Sequence, residues 1–370
     1  MSAPPLRLVA LEITRRCNLA CKHCRGDSRN ESYPNELSLD EITAVLDNVS
    51  STAQPIIIIT GGEPLIRNDV FDITAYSTSR GLRTVLATCG HLLTEETVQK
   101  LINTGVSRIS VSLDGTTSDV HDSFRGVTGA FDSALMGLKT ARKYGLDFQI
   151  NSTLTTINIE ELEALHNMAV SVGAVAFHPF LFVPMGRGKG LADSALSGEE
   201  YEAALIRIAE IASRSPIEIK PTCSPHYTRV VKQTSSGSSG LSGVSALSGE
   251  PEPFPSVQSL SPRTFKHPVT RGCLGAQGFV FVSHIGKVQM CGFLEIEAGD
   301  LRTCQYDLNH IWETSAFFKE IRDVDSYNGK CGVCEYRNIC GGCRARAYYA
   351  FGNYLAEEPN CIYIPQRTRT

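Results

Sequence analysis

The 370-residue sequence predicts an α/β fold: a partial, open (β/α)6 TIM-like barrel followed by a C-terminal cysteine-rich domain. Three observations carry this expectation. From residue 7 to about 220, short apolar runs alternate with amphipathic stretches, the pattern of repeated β–α units. Residues 233 to about 270 are rich in Ser, Gly and Pro with few large apolar side chains, so they cannot bury a core and read as a flexible insertion or linker. Of 13 cysteines, eight lie at or beyond Cys273. The implied division is 1–232, 233–270 and 271–370.

Taken in order, the first strand is Leu8–Thr14, an alternating apolar run. It leads into Cys17, Cys21 and Cys24, a Cys-x3-Cys-x2-Cys loop at a strand's C-terminal end, where a (β/α) barrel places its chemistry. A helix over Leu39–Asn48 precedes a second strand, Pro55–Thr60, which ends in Gly61-Gly62-Glu63-Pro64. Glycines there let backbone approach a ligand closely. The third strand, Arg83–Thr88, ends at Cys89, and a helix over Glu95–Thr104 follows. The fourth, Arg108–Leu113, carries Ser112 and runs into Asp114-Gly115, with Arg125 shortly after in HDSFRG. Asn151 lies on the fifth strand, Phe148–Thr153, and a helix over Ile159–Val172 leads to the sixth, Val175–Val183, which carries His178. Arg187 and Lys189 follow in a GRGKG loop.

Composition narrows the function. The formal charge is −4, from 35 basic and 39 acidic residues, and no basic run points to nucleic acid. The N-terminal residues lack the pattern of a signal peptide, and the apolar stretches fall short of the ~20 residues a membrane span needs, so the expected location is cytoplasmic. In such a chain grouped cysteines indicate metal or redox centres rather than disulfides. Three thiolates suit a cubane iron–sulfur cluster with one iron left open to an outside ligand. Zinc sites usually close with four ligands, which argues against zinc at the triad. Farther on, Cys273 precedes Gly286 by a twelve-residue gap, Cys291 follows after four, and then comes Cys331-x2-Cys334-x5-Cys340-x2-Cys343 with Cys361. Two Cys-x2-Cys pairs also suit a zinc ribbon.

The triad, the glycine motif and the strand-end polar residues resemble the radical SAM superfamily, and the C-terminal block resembles a SPASM domain. The resemblance implies S-adenosylmethionine (SAM) on the open iron, cleaved by an electron to a 5′-deoxyadenosyl radical. It assigns Gly61, Gly62, Glu63 and Pro64 to the methionine amine, and Ser112, Arg125 and Asn151 to SAM's ribose and carboxylate. Related sequences commonly have Asn where this chain has Cys89. Three [4Fe–4S] clusters are implied, one SAM-binding and two auxiliary. Cys331, Cys334, Cys340 and Cys361 would hold one auxiliary cluster; Cys273, Cys291 and Cys343 would hold the other, with Cys223 a candidate fourth ligand and Cys304 left over. The usual last interval of the four-cysteine run is three residues, against two here.

Over about 7–232 and 271–365 the details, including HCR at Cys24-Arg25 and PTCSPHY around Cys223, resemble the radical SAM heme synthases of the siroheme-dependent pathway. That implies oxidative decarboxylation of two propionates of iron-coproporphyrin III to vinyl groups, with a flavodoxin or ferredoxin type of reductant. The alternatives are a didecarboxysiroheme or heme d1 intermediate as substrate, or a peptide maturase. A substrate with four carboxylates calls for cations, and Arg187, Lys189, Arg344 and Arg346 are the candidates. His178, His226 and Tyr227 are candidates for contacts to heme iron or propionate.

Overall fold

The computed structural model describes residues 3–236 and 271–366. Most of the predicted linker therefore lies outside the described residues. Its first four residues, 233–236, belong to a helix.

The chain begins β1 (Leu8–Thr14), α1 (Leu39–Ser50), β2 (Ile56–Gly61), α2 (Val70–Ser79), β3 (Thr84–Thr88), α3 (Glu95–Asn103) and β4 (Arg108–Ser112). Then come α4 (Ser118–Arg125), α5 (Ala130–Lys143), β5 (Phe148–Leu154), α6 (Leu162–Val172) and β6 (Ala176–Leu181). After these follow α7 (Gly198–Arg214), β7 (Glu218–Ile219) and α8 (Tyr227–Ser236). The C-terminal part adds β8 (Phe279–Val282), β9 (Lys287–Gln289), β10 (Gly299–Asp300), α9 (Leu308–Thr314), α10 (Ala316–Arg322), α11 (Gly329–Val333) and α12 (Arg344–Phe351). Helix starts follow local chemistry. Ser38 and Glu41 form a reciprocal capping box on α1, and Ser197 with Glu200 does the same on α7.

The strands of the described residues join one ten-stranded sheet in the order β10-β9-β8-β1-β2-β3-β4-β5-β6-β7. β1 to β7 are parallel neighbours in sequence order, as the six predicted β–α units require. Alternate residues such as Ile109, Val111, Ile150 and Phe177 are buried in the main core. The register places Ser112 beside Asn151 and Asn151 beside His178, so the three form one half-exposed polar row across β4, β5 and β6.

One feature departs from the expected division at residue 271. β8 pairs in parallel with β1, Leu8 with Phe279 through Leu11 with Val282. The C-terminal part thus continues the barrel sheet before its cysteine-rich end begins. The run FVFV supplies what β1 lacks on that side, since Val280, Phe281 and Val282 are all buried.

Candidate active site and cysteine centres

The loop after β1 is fixed mainly by main-chain bonds. The N–H groups of Ala20 and Lys22 donate to the carbonyls of Arg125 and Phe124, which end α4. Three donors converge on the triad's sulfurs: Leu19 N–H on Cys17 at 3.4 Å, Ser28 N–H on Cys24 at 3.3 Å, and Arg125 Nη1 on Cys21 at 3.7 Å. Donors aimed at sulfur favour the thiolate form that an iron site requires. Burial pushes the Cys17 thiol up to about 12 and raises that of Cys21 as well. Deprotonation at neutral pH is therefore left to the charge of bound iron. The donor set fits a cubane with one iron open.

The Gly61-Gly62-Glu63-Pro64 turn packs on this loop. Gly62 N–H donates to Thr14 O and Glu63 N–H to Arg16 O, both at 2.8 Å. A Cβ on Gly61 would stand 2.4 Å from Thr14 O, and one on Gly62 would stand 2.3 Å from Arg16 O. The close approach these glycines permit is thus to the cysteine loop itself. Glu63 is wholly buried and accepts from Thr88 Oγ1, Leu65 N–H and, at 2.7 Å, Cys89 N–H. Burial raises its pKa although those donors oppose the rise. Cys89 packs with Cys17, Cys21 and Cys24 in one small apolar cluster, its thiol directed to Asn18 Oδ1 at 3.8 Å.

Arg125 pairs with buried Asp114 at 2.7 Å as well as reaching Cys21. Asp114 also faces His23 at 3.6 Å and accepts from Thr153 N–H at 2.8 Å. Burial opposes the Asp114 charge, but Arg125, His23 and His121 outweigh it and hold the carboxyl below its ordinary range. Along the polar row, Gln149 Nε2 lies 3.0 Å from Asn151 Oδ1 and 3.1 Å from His178 Nδ1. Burial, then Lys220 and Arg108, lower His178 to about 3, so the ring is neutral at pH 7.

In the C-terminal part, Cys331, Cys334, Cys340 and Cys361 line one cavity together with His226, Arg229 and Glu358. Cys223 is half-buried near Cys343, Cys291 and Cys273; desolvation and then these thiols push its pKa well above the ordinary value. Its backbone is left-handed, φ 55°, and its carbonyl is held by Tyr201 Oη and Arg346 Nη2 at 2.9 and 2.8 Å. Gly341 and Gly342, also left-handed, make the tight Cys340–Cys343 turn. Among the described residues, no three His, Cys, Asp or Glu side chains converge on a point that would hold a single metal ion. Four thiols around one cavity fit a cubane, in which each cysteine would hold one iron. Cys304 stands apart, its single S–H within donor range of the carbonyls of Asp300, Leu301 and Asp307 at 3.4, 3.6 and 3.6 Å.

The structure gives most of the predicted substrate cations other work. Arg187 donates to Cys21 O and Ser28 O, both at 2.8 Å, and pairs with Asp27, so it clamps the triad loop. Arg344, 1% exposed, donates to Tyr354 O and Ala356 O and reaches Cys331 Sγ at 3.6 Å. Arg346 is bound to Glu358, Tyr201 and Cys223. Lys189 is exposed and Tyr227 half-buried. His226 belongs to the four-cysteine cavity.

Two carboxylates were not singled out from sequence. Glu12 joins Arg25, Arg15 and His284, and Glu358 accepts from Cys343 N–H at 2.6 Å and Arg346 at 2.8 Å. The interruption of an apolar strand by Glu12 was the available signal for the first. Arg25 also lies over the Phe281 ring at 4.4 Å and so ties the triad loop to β8.

Comparisons with known proteins agree with this geometry. Residues 11–169 match the model of the Radical SAM superfamily. The chain is 43% identical to an AdoMet-dependent heme synthase of Nitratidesulfovibrio vulgaris, over 99% of this chain and 94% of that one. It is 44% identical to an AdoMet-dependent heme synthase of Methanosarcina barkeri, over 97% of each. In fold it is similar to Streptococcus suis SuiB bound to S-adenosylmethionine, with TM-score 0.71 and 16% identity, over 100% of this chain and 78% of that one.

Proposed function

The chain belongs to the radical SAM superfamily, among its AdoMet-dependent heme synthases, and from that membership we propose that it converts iron-coproporphyrin III to heme b by oxidative decarboxylation of two propionates. Each propionate loses a β-hydrogen atom, CO2 and one electron, and a vinyl group remains. The observation that carries the reading is the 43–44% identity to AdoMet-dependent heme synthases along nearly the whole chain, and the thiols, three at the barrel mouth and others gathered in the C-terminal part, support cluster chemistry. When bound, SAM and its cluster supply the hydrogen-abstracting radical, and auxiliary clusters supply an acceptor for the electron.

The chain's own residues then have defined tasks. Cys17, Cys21 and Cys24 hold the first cluster, and the donors from Leu19, Ser28 and Arg125 favour their thiolates. Ser112 and Asn151 offer polar groups to SAM from the row across the sheet. His178, next in that row and neutral, offers a nitrogen to the substrate side, and Lys189 offers a charge at the rim. Cys331, Cys334, Cys340 and Cys361 hold one auxiliary cluster, and Cys223, Cys273, Cys291 and Cys343 hold the second. An iron–sulfur or flavin protein serves as reductant.

The test is direct. Anaerobically reconstituted protein, given SAM, a reductant and iron-coproporphyrin III, should lose two CO2 per macrocycle through a mono-vinyl intermediate, read by product mass. Formation of 5′-deoxyadenosine with the macrocycle mass unchanged would remove this substrate from consideration.

A further inference from the structure

Two buried N–H-bearing side chains line the cavity of Cys331, Cys334, Cys340 and Cys361 without a use for part of their hydrogen-bonding capacity. His226 is 1% exposed, and neither ring nitrogen has a partner. Its Nε2 is 4.0 Å from Glu358 Oε2, beyond hydrogen-bond reach. Arg229 is 3% exposed. Its Nη1 donates to Glu202 and Gln233 at 2.7 Å and its Nη2 to Glu202 at 2.5 Å, while Nε is left unpaired. Leaving a buried donor unsatisfied costs about 1–3 kcal/mol, so two such groups against one cavity call for an acceptor inside it.

Local structure fixes both side chains. His226 immediately precedes α8, and its carbonyl accepts from Arg229 N–H at 2.9 Å and Val230 N–H at 3.0 Å. Residues three apart in a helical turn lie on one face. The imidazole stands edge-on to Tyr201, with centroids 5.1 Å apart at 74°. The salt bridge to Glu202 locks the guanidinium.

We propose that His226 and Arg229 donate hydrogen bonds to the iron–sulfur centre of this cavity and raise its reduction potential. The proposal rests on the reading that these four cysteines hold a cubane. Cluster sulfides and thiolates are acceptors, and they carry more negative charge after reduction. A donor held against them therefore stabilises the reduced form. One electron enters the centre and no bond breaks. The donors make this centre a better sink for the electron that leaves each propionate, and they reach it from α8 and the residue before it.

The test is a redox titration of reconstituted full-length protein, followed by electron paramagnetic resonance, with iron assayed in parallel. His226→Phe keeps the ring against Tyr201 and removes its nitrogens. Arg229→Lys keeps a charge for Glu202 and removes Nε–H. Each variant should retain the parent's iron, while one auxiliary couple becomes about tenfold less favourable to reduce, or 59 mV for one electron. His226→Gln, which restores a donor, should recover most of that loss. Unchanged potentials in both variants at full iron would overturn the proposal. So would loss of about four irons in His226→Phe, since the histidine would then be a ligand. If the parent chain itself binds no iron at these cysteines, the cluster reading of the cavity fails first, and the iron assay alone shows it.

Discussion

Arg187 holds the triad loop through the carbonyls of Cys21 and Ser28, and its own N–H donates to Cys24 O at 2.9 Å. Hydrogen bonds from a charged group contribute about 1.5–3 kcal/mol each. Arg187→Gln should accordingly lower 5′-deoxyadenosine formation at least tenfold and weaken the triad's cluster, with Arg187→Lys intermediate; iron content and chromatographic product assay check this. Its sequence context showed a cation at a barrel rim, but main-chain acceptors carry no sequence signature, so the clamp was not legible. Glu12 gives a pH prediction. Burial opposes its charge, yet Arg25, His284 and Arg15 outweigh burial and lower it from 4.5 to about 2. The folded pKa is depressed, so the stabilisation is complete above 4.5 and is lost as pH falls from there towards 2. At pH 7 it is worth about 3 kcal/mol, from 1.36 kcal/mol per unit. Urea titrations should show Glu12→Gln less stable than the parent by that order at pH 7, with the gap narrowing as the pH falls below 4.5. A constant gap across the range would contradict the assignment.

At the scale of elements, the loop after β2 acts as a second support for the cysteine loop. A methyl group at Gly62 would meet two carbonyls, Arg16 O at 2.3 Å and Arg15 O at 2.5 Å. Backbone cannot yield as a flexible side chain does. Gly62→Ala should therefore displace the cysteine loop and reduce SAM-dependent activity by two orders of magnitude or more, while C-terminal iron remains; the two are separated by parallel iron and 5′-deoxyadenosine assays. The strands were legible because one face of each is buried under helices, and β1 to β6 lie within two residues of their expected ends. Part of the expected helix over Ile159–Val172 is instead a tight 3-10 turn, Ile159–Glu161, before α6. Hydrophobic period does not distinguish one irregular turn from a continuous helix. The cysteine spacing marked the C-terminal thiols that the fold gathers, whereas the buried Glu358 beside them left no periodic trace.

For the whole molecule, the sheet is shared between the N-terminal and C-terminal parts, and this was hidden because β8 is only four residues long, too short for alternation to speak. A fragment ending at residue 236 should not behave as an independent barrel. It would leave β1 without the partner that pairs Leu8–Leu11, exposing an apolar strand edge. Such a fragment should be insoluble or bind a hydrophobic dye strongly, and a soluble, cooperatively unfolding fragment would refute the claim. The pairing of β1 with β8 also sets a timetable at the ribosome. The first strand made receives its second neighbour only when residue 282 has been translated. At about 5–20 residues per second, the open edge waits on the order of tens of seconds. Added chaperone capacity should therefore raise the soluble yield of this protein, because it covers the β1 edge until residue 282 is made.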